Sequence, residues 1–362
     1  MCCRINCSRR LLIMAGGTGG HIFPGIAIAQ YLLNHGWQIL WLGTYDRMEV
    51  NLVQKYNIDL ELIRIKSWRG KKFKLFFSLS LQFFRAIRQS YKIIKNWHPN
   101  IVLGMGGYVS GPGGIAAWIQ DIPIVIHEQN VIPGLTNYWL AKIAYKKLQA
   151  FPGALNKAIV VGNPIRDEIL SIPPPESRFL GRSRFPLRIL VLGGSQGAQI
   201  LNNVMPQVAN ILGNKIILWH QVGKNALSKV RELYKDISNT LSIYRITEFI
   251  EDIAIAYSWA DVVICRSGAL TVSEIAVVGL PAIFVPFVHR DKQQYWNAFL
   301  LKDVDAAEIL ENSEFTASNV VKILEKLDRT TLLRMALSAR SLAIFNATER
   351  VASFLINIPK NN

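Results

Sequence analysis

Twice in this chain an unbroken apolar run ends in a glycine-rich turn and opens into a helical pattern. Leu11 to Ala15 leads into Gly16-Gly17-Thr18-Gly19-Gly20-His21. Leu187 to Leu192 leads into Gly193-Gly194-Ser195-Gln196-Gly197-Ala198, 177 positions later. Continuous apolar strands of this kind belong to parallel sheets covered on both faces. After the first turn the spacing predicts a helix over Pro24 to Asn34 and strands at Ile39 to Leu42, Ile58 to Ile63, Ile101 to Leu103 and Ile124 to Ile126. After the second, strands are expected at Ile216 to Trp219, Leu241 to Tyr244, Val262 to Cys265 and Ala282 to Val285. The expected class is α/β, with two Rossmann-like, doubly wound parallel-sheet domains in tandem, and 362 residues suit two domains. The boundary falls near residue 165. Pro173-Pro174-Pro175 and Ser177 to Phe185 read as linker or surface loop, and Thr331 to Ile356 is helical in period.

Charge narrows the partners. The chain is half apolar and only 18% charged, which excludes disorder over most of its length, yet its formal charge is +16. That favours an anionic partner: nucleic acid, an anionic membrane or a phosphorylated substrate. No apolar run reaches the length of a membrane span; Leu75 to Phe84 is broken by Ser and Gln, and Ile275 to Val288 contains Pro281 and Pro286. The basic start ends too soon in a glycine loop for a signal peptide. Four cysteines, three of them at positions 2, 3 and 7, make no disulfide scaffold, so a reducing cytoplasm is expected. No acid occurs between Glu61 and Asp121, and the stretch from Lys66 to Trp97 interleaves Lys and Arg with Phe, Leu and Trp. An amphipathic helix there would lie on an anionic bilayer, with Trp68, Lys71, Lys72, Phe73, Phe76 and Phe77 as its patch. Leu75, Leu79 and Phe83 also suit a core. Base stacking would call for a sheet platform, so no nucleic acid partner is expected.

Glycine turns between strand and helix let backbone amides approach an anion. With Gly104 to Gly114 there are three such turns, which together suggest a site for phosphate or sugar hydroxyls. The first is not GxGxxG, because Ile22 stands at the last glycine, and no GxxxxGK[ST] occurs. Asp46 could imitate a dinucleotide ribose acid, but off-pattern. His21 at the helix start suits a general base, with a capping histidine as the alternative. His127-Glu128-Gln129-Asn130 form a polar cluster just beyond a strand, either catalytic or a buried network. His220-Gln221 end a strand likewise, where the structural reading is stronger. Ser267 to Ala269 can present amides to phosphate, and Glu274 further along that helix could take both ribose hydroxyls. Gln293 and Gln294 suit neutral sugar hydroxyls. Asp303-Val304-Asp305, the one DxD pair, reads as a solvated turn; no metal site and no required metal cofactor are expected, and hydrolase signatures are absent.

These motifs resemble the MurG family of bacterial peptidoglycan glycosyltransferases, in glycosyltransferase family 28. GGTGGH, GMGGYVSGPGG, HEQN, AFPGA, VGNPIR, GGSQGA, WHQVGK, CRSGALTVSE and DKQQYWNA occur in family order between Leu12 and about Leu355. The resemblance implies a GT-B fold, two Rossmann-like domains facing across a cleft. Residues 1–165, completed by a C-terminal helix at 346–362, would form the acceptor and membrane side; residues 166–345 would bind the donor. It implies inverting transfer of N-acetylglucosamine (GlcNAc) from UDP-GlcNAc to the muramyl 4-hydroxyl of lipid I, the undecaprenyl-pyrophosphoryl-muramyl-pentapeptide, giving lipid II. The implied setting is the cytoplasmic face of the inner membrane, with wall-synthesis or division proteins as further partners. His21 and Glu128 are the implied catalytic residues. Thr18, Gly19, Asn130, Arg166, Ser195, Gln196, Ile250, Arg266, Ala269, Leu270, Glu274, Gln293 and Gln294 are the implied donor contacts. Gly17, Gly106, Tyr108 and His127 lie on the implied acceptor side. The alternative is another GT-B transferase that glycosylates a different lipid, such as diacylglycerol; a sugar-nucleotide epimerase or hydrolase and a non-catalytic membrane scaffold are the more distant ones.

Overall fold

The computed structural model describes residues 8–45, 48–65, 76–194, 196–235 and 242–359. Two compact units divide the chain: one runs to Arg166 and resumes at Asn346, the other is Asp167–Phe345. In the first, β1 (Arg10–Ala15), α1 (Gly19–Asn34), β2 (Gln38–Thr44), α2 (Met48–Lys55), β3 (Asp59–Ile63), α3 (Phe76–Trp97), β4 (Ile101–Gly106), α4 (Ser110–Ile119), β5 (Ile124–Glu128), α5 (Leu135–Leu140), β6 (Lys146–Gln149) and β7 (Ile159–Val160) follow in turn. Their seven strands form one sheet in the order β3-β2-β1-β4-β5-β6-β7, and all pairs are parallel.

The period of a strand explains how β1 serves two cores. Leu11, Ile13 and Ala15 pack with Ile22, Ile26 and Ala29 of α1, while Leu12 and Met14 pack with Ala86 and Ile94 of α3 and Ala116 of α4. Leu11 to Ala15 are fully buried, the large aliphatic ones contributing about 1.5–3 kcal/mol each. Helix α1 starts at Gly19, five residues before the expected Pro24, because the Thr18 carbonyl accepts from the N–H groups of His21 and Ile22 at 3.1 and 3.3 Å. His21 therefore stands inside the first helical turn.

The second unit contains α6 (Asp167–Leu170), α7 (Pro175–Phe179), β8 (Leu187–Leu192), α8 (Gln199–Leu212), β9 (Ile216–Gln221), α9 (Leu227–Lys235), β10 (Ser242–Thr247), α10 (Ile253–Trp259), β11 (Val262–Cys265), α11 (Ala269–Val278), β12 (Ala282–Phe284), α12 (Gln293–Lys302), β13 (Ala307–Ile309), α13 (Ala317–Lys326) and α14 (Arg329–Ser341). Six parallel strands run β10-β9-β8-β11-β12-β13. The stretch expected as linker is instead anchored. Arg178 is buried and donates to the carbonyls of Pro173, Val278 and Gly279, capping the end of α11. Asp261, fully buried, pairs with Arg182 at 2.7 Å and Arg329 at 2.8 Å. The expected helical region at 331–356 is two helices, α14 and α15 (Ala347–Ile356), and α15 returns to pack on α1.

Candidate active site

At the carboxyl ends of β1, β4 and β5 three loops meet. The first glycine loop is braced by Glu49 of α2, a fully buried carboxylate. Its Oε1 accepts from the Thr44 hydroxyl at 2.6 Å and the Thr44 N–H at 3.2 Å, and its Oε2 accepts from the Gly17 N–H at 3.2 Å. Glycine at 107 is required by approach as well as conformation: with φ +81, a Cβ there would collide with the Gly16 carbonyl oxygen and lie 3.0 Å from its carbon. Gly106 ends β4, where a Cβ would stand 3.0 Å from Nδ1 and Cε1 of His21. The two glycine loops thus touch backbone to backbone, with the His21 ring lodged between them and the HEQN segment.

The HEQN side chains divide their work. His21 Nδ1 lies 3.0 Å from Gln129 Oε1, and Gln129 Nε2 lies 3.2 Å from the His127 carbonyl and 3.3 Å from His127 Nδ1. His127 Nε2 donates to the Gly162 carbonyl at 2.8 Å. Burial pushes the His127 pKa down to about 4; the Gly162 carbonyl opposes this, and the nearby His21 adds to it. Glu128, 1% exposed, accepts four hydrogen bonds: from the N–H and Nδ2 of Asn130 at 3.0 and 3.1 Å, from the Gly134 N–H at 3.1 Å and from Asn137 Nδ2 at 2.9 Å. Four donors match the roughly four lone-pair sites of a carboxylate.

In the second unit, Gln221 grips the other glycine loop with both ends of its amide. Its Oε1 accepts from the Gly194 N–H at 3.1 Å, and its Nε2 donates to the carbonyls of Gly194 and Glu248 at 2.9 Å. Helix α11 starts beyond β11 with Gly268 at its N-cap, so its first N–H groups open toward the same sheet edge. Glu274, 6% exposed in that helix, accepts from the buried Tyr257 hydroxyl at 3.0 Å. Arg266 Nη1 donates to the carbonyls of Val285 and Pro286 and to Asn312 Oδ1. Desolvation lowers its pKa.

Residues 11–149 match the glycosyltransferase family 28 N-terminal domain, and residues 188–352 match its C-terminal domain. The chain belongs to glycosyltransferase family 28. This family-28 chain is 57% identical over 353 residues to a Photorhabdus laumondii protein named UDP-N-acetylglucosamine--N-acetylmuramyl-(pentapeptide) pyrophosphoryl-undecaprenol N-acetylglucosamine transferase, covering 98% of this chain and 99% of the relative. An Erwinia tasmaniensis protein of the same name is 59% identical over 345 residues, with 95% and 97% covered. The crystal structure of Acinetobacter baumannii MurG superposes with a TM-score of 0.83 at 36% identity, covering 97% of this chain and all of that one. The chain is a glycosyltransferase of the MurG kind, and its two parallel-sheet domains are those of the GT-B fold.

Within this family-28 chain the sequence-expected residues are placed unequally. His21, Gly17, Thr18, Gly19 and Gly106 come together at the first loop, and half-buried Tyr108 follows the second. Two expectations need correction. His127 is fully buried with both ring nitrogens engaged inside the protein, so it stands behind His21 and not on an acceptor surface. Glu128 has its oxygens committed to shaping residues 130–137, so it organises the loop and is not placed as a catalytic acid or base. Arg166 stacks over the Phe23 ring, 4.4 Å from its centroid, and belongs to the first unit. Ile250 is 8% exposed, just past β10. Ala269 and Leu270 are buried in the first turn of α11. Gln293 opens α12, and Gln294 uses its Oε1 to accept from the Phe287 N–H at 2.8 Å. Gln196 is exposed in the turn. Ser195, Asp46, Trp68, Lys71, Lys72, Phe73 and the cysteines at 2, 3 and 7 lie outside the described residues, as do the side chains of Phe76 and Phe77. Asp303 and Asp305 sit in an exposed turn. Sequence reasoning missed Glu49, Asn137 and Tyr257, single polar residues in helices that carry no motif of their own.

Proposed function

We propose that this protein transfers GlcNAc from UDP-GlcNAc to the muramyl 4-hydroxyl of lipid I, with inversion. The observation that carries the reading is the 57% identity to a relative bearing that activity in its name, over nearly the full length of both chains. The site geometry supports it. His21, on the first turn of α1, would take the proton of the acceptor hydroxyl as it attacks the anomeric carbon. The first N–H groups of α11 and its dipole would meet the departing UDP, and Glu274 would hold ribose hydroxyls. The donor side would draw on Gln196, Ile250, Arg266, Gln293 and Gln294, and no metal ion would be required.

A membrane-surface setting goes with this reading. Leu81 and Phe84 of α3 and Trp118 and Ile119 of α4 are exposed on two helices that pack together, with Arg85, Arg88 and Lys92 exposed beside them. Exposed apolar side chains with cations along the same helix suit an anionic bilayer. Among the described residues no helix is long and apolar enough to cross a membrane.

The test is transfer of labelled GlcNAc from UDP-GlcNAc to a short-chain lipid I analogue, with and without EDTA. Lipid-dependent UDP release that survives EDTA supports donor, acceptor and metal independence together. Bound UDP-GlcNAc without transfer to lipid I, but with transfer to diacylglycerol, overturns the acceptor.

A further inference from the structure

We infer that Gln129 is a positioning residue: it fixes His21 in the tautomer with its proton on Nδ1, so that the lone pair presented to the acceptor hydroxyl is the one on Nε2. This rests on the reading of His21 as the base and adds what sets its reactive nitrogen.

The direction of the relay follows from its two ends. An amide side chain shows which end is oxygen only through its neighbours. Gln129 Nε2 lies 3.2 Å from the His127 carbonyl, a group that can only accept, so the NH2 is at that end. Oε1 then faces His21 Nδ1 at 3.0 Å and can only accept, so His21 must donate from Nδ1. The far end agrees independently. His127 Nε2 faces the Gly162 carbonyl at 2.8 Å, so it carries the proton, and its bare Nδ1 takes the second Gln129 N–H at 3.3 Å. Two backbone carbonyls therefore orient three side chains in one direction. Turning the amide over would set Oε1 against both the His127 carbonyl oxygen and the bare His127 Nδ1, acceptor facing acceptor at each contact.

Burial makes the arrangement persistent. Gln129 is 1% exposed and His127 fully buried, so water does not compete for these bonds. Protonating His127 on Nδ1 would break the relay by facing N–H to N–H, and burial holds that step down to about pH 4. The other flank of the His21 ring lies against Gly106, where a Cβ would stand 3.0 Å from the ring atoms Nδ1 and Cε1. Which ring nitrogen of a histidine carries the proton is set by the bond its other nitrogen makes, and a base in the wrong tautomer offers a proton where it should take one.

The experiment is nitrogen NMR of the full chain labelled in its six histidines, with His21→Ala assigning the His21 signals, together with transfer kinetics. Wild type is expected to show His21 protonated on Nδ1 and His127 on Nε2 near pH 7. Gln129→Met, close in volume, should release His21 into a mixture of tautomers. Its kcat should fall about 10- to 100-fold, no more than the roughly 10²–10⁴ a positioned base supplies, with KM for UDP-GlcNAc changed less than about 2-fold. Gln129→Glu keeps an acceptor toward Nδ1 and should recover part of that loss, which a purely structural role would not produce. A wild-type His21 protonated on Nε2 overturns the inference even if Gln129→Met does not fold, and so does a folded Gln129→Met with wild-type kcat. Failure of the base assignment looks different: His21→Ala then keeps transfer and takes the inference with it, whereas a misjudged relay leaves His21→Ala inactive and Gln129→Met unaffected.

Discussion

The backbone contact between the two glycine loops can be tested by adding one methyl group in two places. Gly17 and Gly107 both have positive φ, +97 and +81, so alanine is strained at either, by about 1–2 kcal/mol. They differ in what the methyl meets. At Gly17 nothing lies within 4 Å, whereas at Gly107 it enters the Gly16 carbonyl, with the Gly16 nitrogen 3.2 Å away. Backbone on both sides cannot yield as a flexible side chain does, so overpacking adds about 1–3 kcal/mol at Gly107. For a unit of this size each kcal/mol lowers Tm by about 2–4 °C. Gly17→Ala should thus melt about 5 °C below wild type, and Gly107→Ala about 10 °C or more below. The displaced Gly16 backbone would also pull Gly17 from Glu49 and move Thr18, the residue whose carbonyl starts α1 and seats His21. Transfer by Gly107→Ala should fall more than about tenfold at a temperature where it is still folded, since even ~1 Å of misplacement can cost about 10²-fold. Thermal melts and kcat on the two variants decide it. Equal melting temperatures would show that the loops do not bear on each other and would refute the argument.

Three other outcomes follow from the same geometry. Glu128→Gln sets an NH2 against one of four donors and should cost about 1–3 kcal/mol, lowering Tm while leaving the shape of the pH–kcat profile as it was; a lost acidic limb would restore Glu128 as the base. Tyr257→Phe removes the hydroxyl that orients Glu274 and should raise KM for UDP-GlcNAc about 3- to 10-fold, equivalent to about 0.5–1.5 kcal/mol, with kcat nearly unchanged; an unaltered KM argues against the ribose role. His127 and His220 are both held down by burial, to about 4 and about 3, against an unfolded value of 6.5. Between those values the unfolded chain binds more protons, so stability is fully present above about pH 6.5 and is lost as pH falls toward 4, by about 1.4 kcal/mol per unit for each histidine. A Tm that stays flat from pH 7 to pH 4.5 contradicts this.

The strands at the centre of each sheet were legible because burial on both faces leaves an unbroken apolar run, as in Leu11 to Ala15 and Leu187 to Leu192, which fall inside the observed β1 and coincide with β8. β7 and β13 at the sheet edges and β6 beside β7 are only two to four residues long, so they carry no such run. The start of α1 was misjudged because two glycines disfavour helix, while a single carbonyl of Thr18 organises the turn. At the site, the motifs marked which loops matter and could not say which side chain faces outward. HEQN is four adjacent polar residues in sequence. Only the strand pleat and the partners at Gly162, Gly134 and Asn137 separate the buried His127 and Glu128 from the residue they support. Glu49 had no signal at all, since a lone glutamate on an eight-residue helix is ordinarily solvated.

Helix α15 has a consequence for synthesis. Val351, Ala352, Leu355 and Ile358 complete the core that contains Leu11, Ile13 and Ile26, and the Arg9 guanidinium donates to the carbonyls of Leu355 and Ile358 at the helix end. Between Arg166 and Asn346 the ribosome makes the entire second unit. The core on the α1 side of the first sheet therefore stays incomplete until a segment made after the second unit arrives to close it. The later unit can fold as it emerges, while the earlier one is finished second, and that interval is when the nascent chain is most open to chaperone capture and to aggregation.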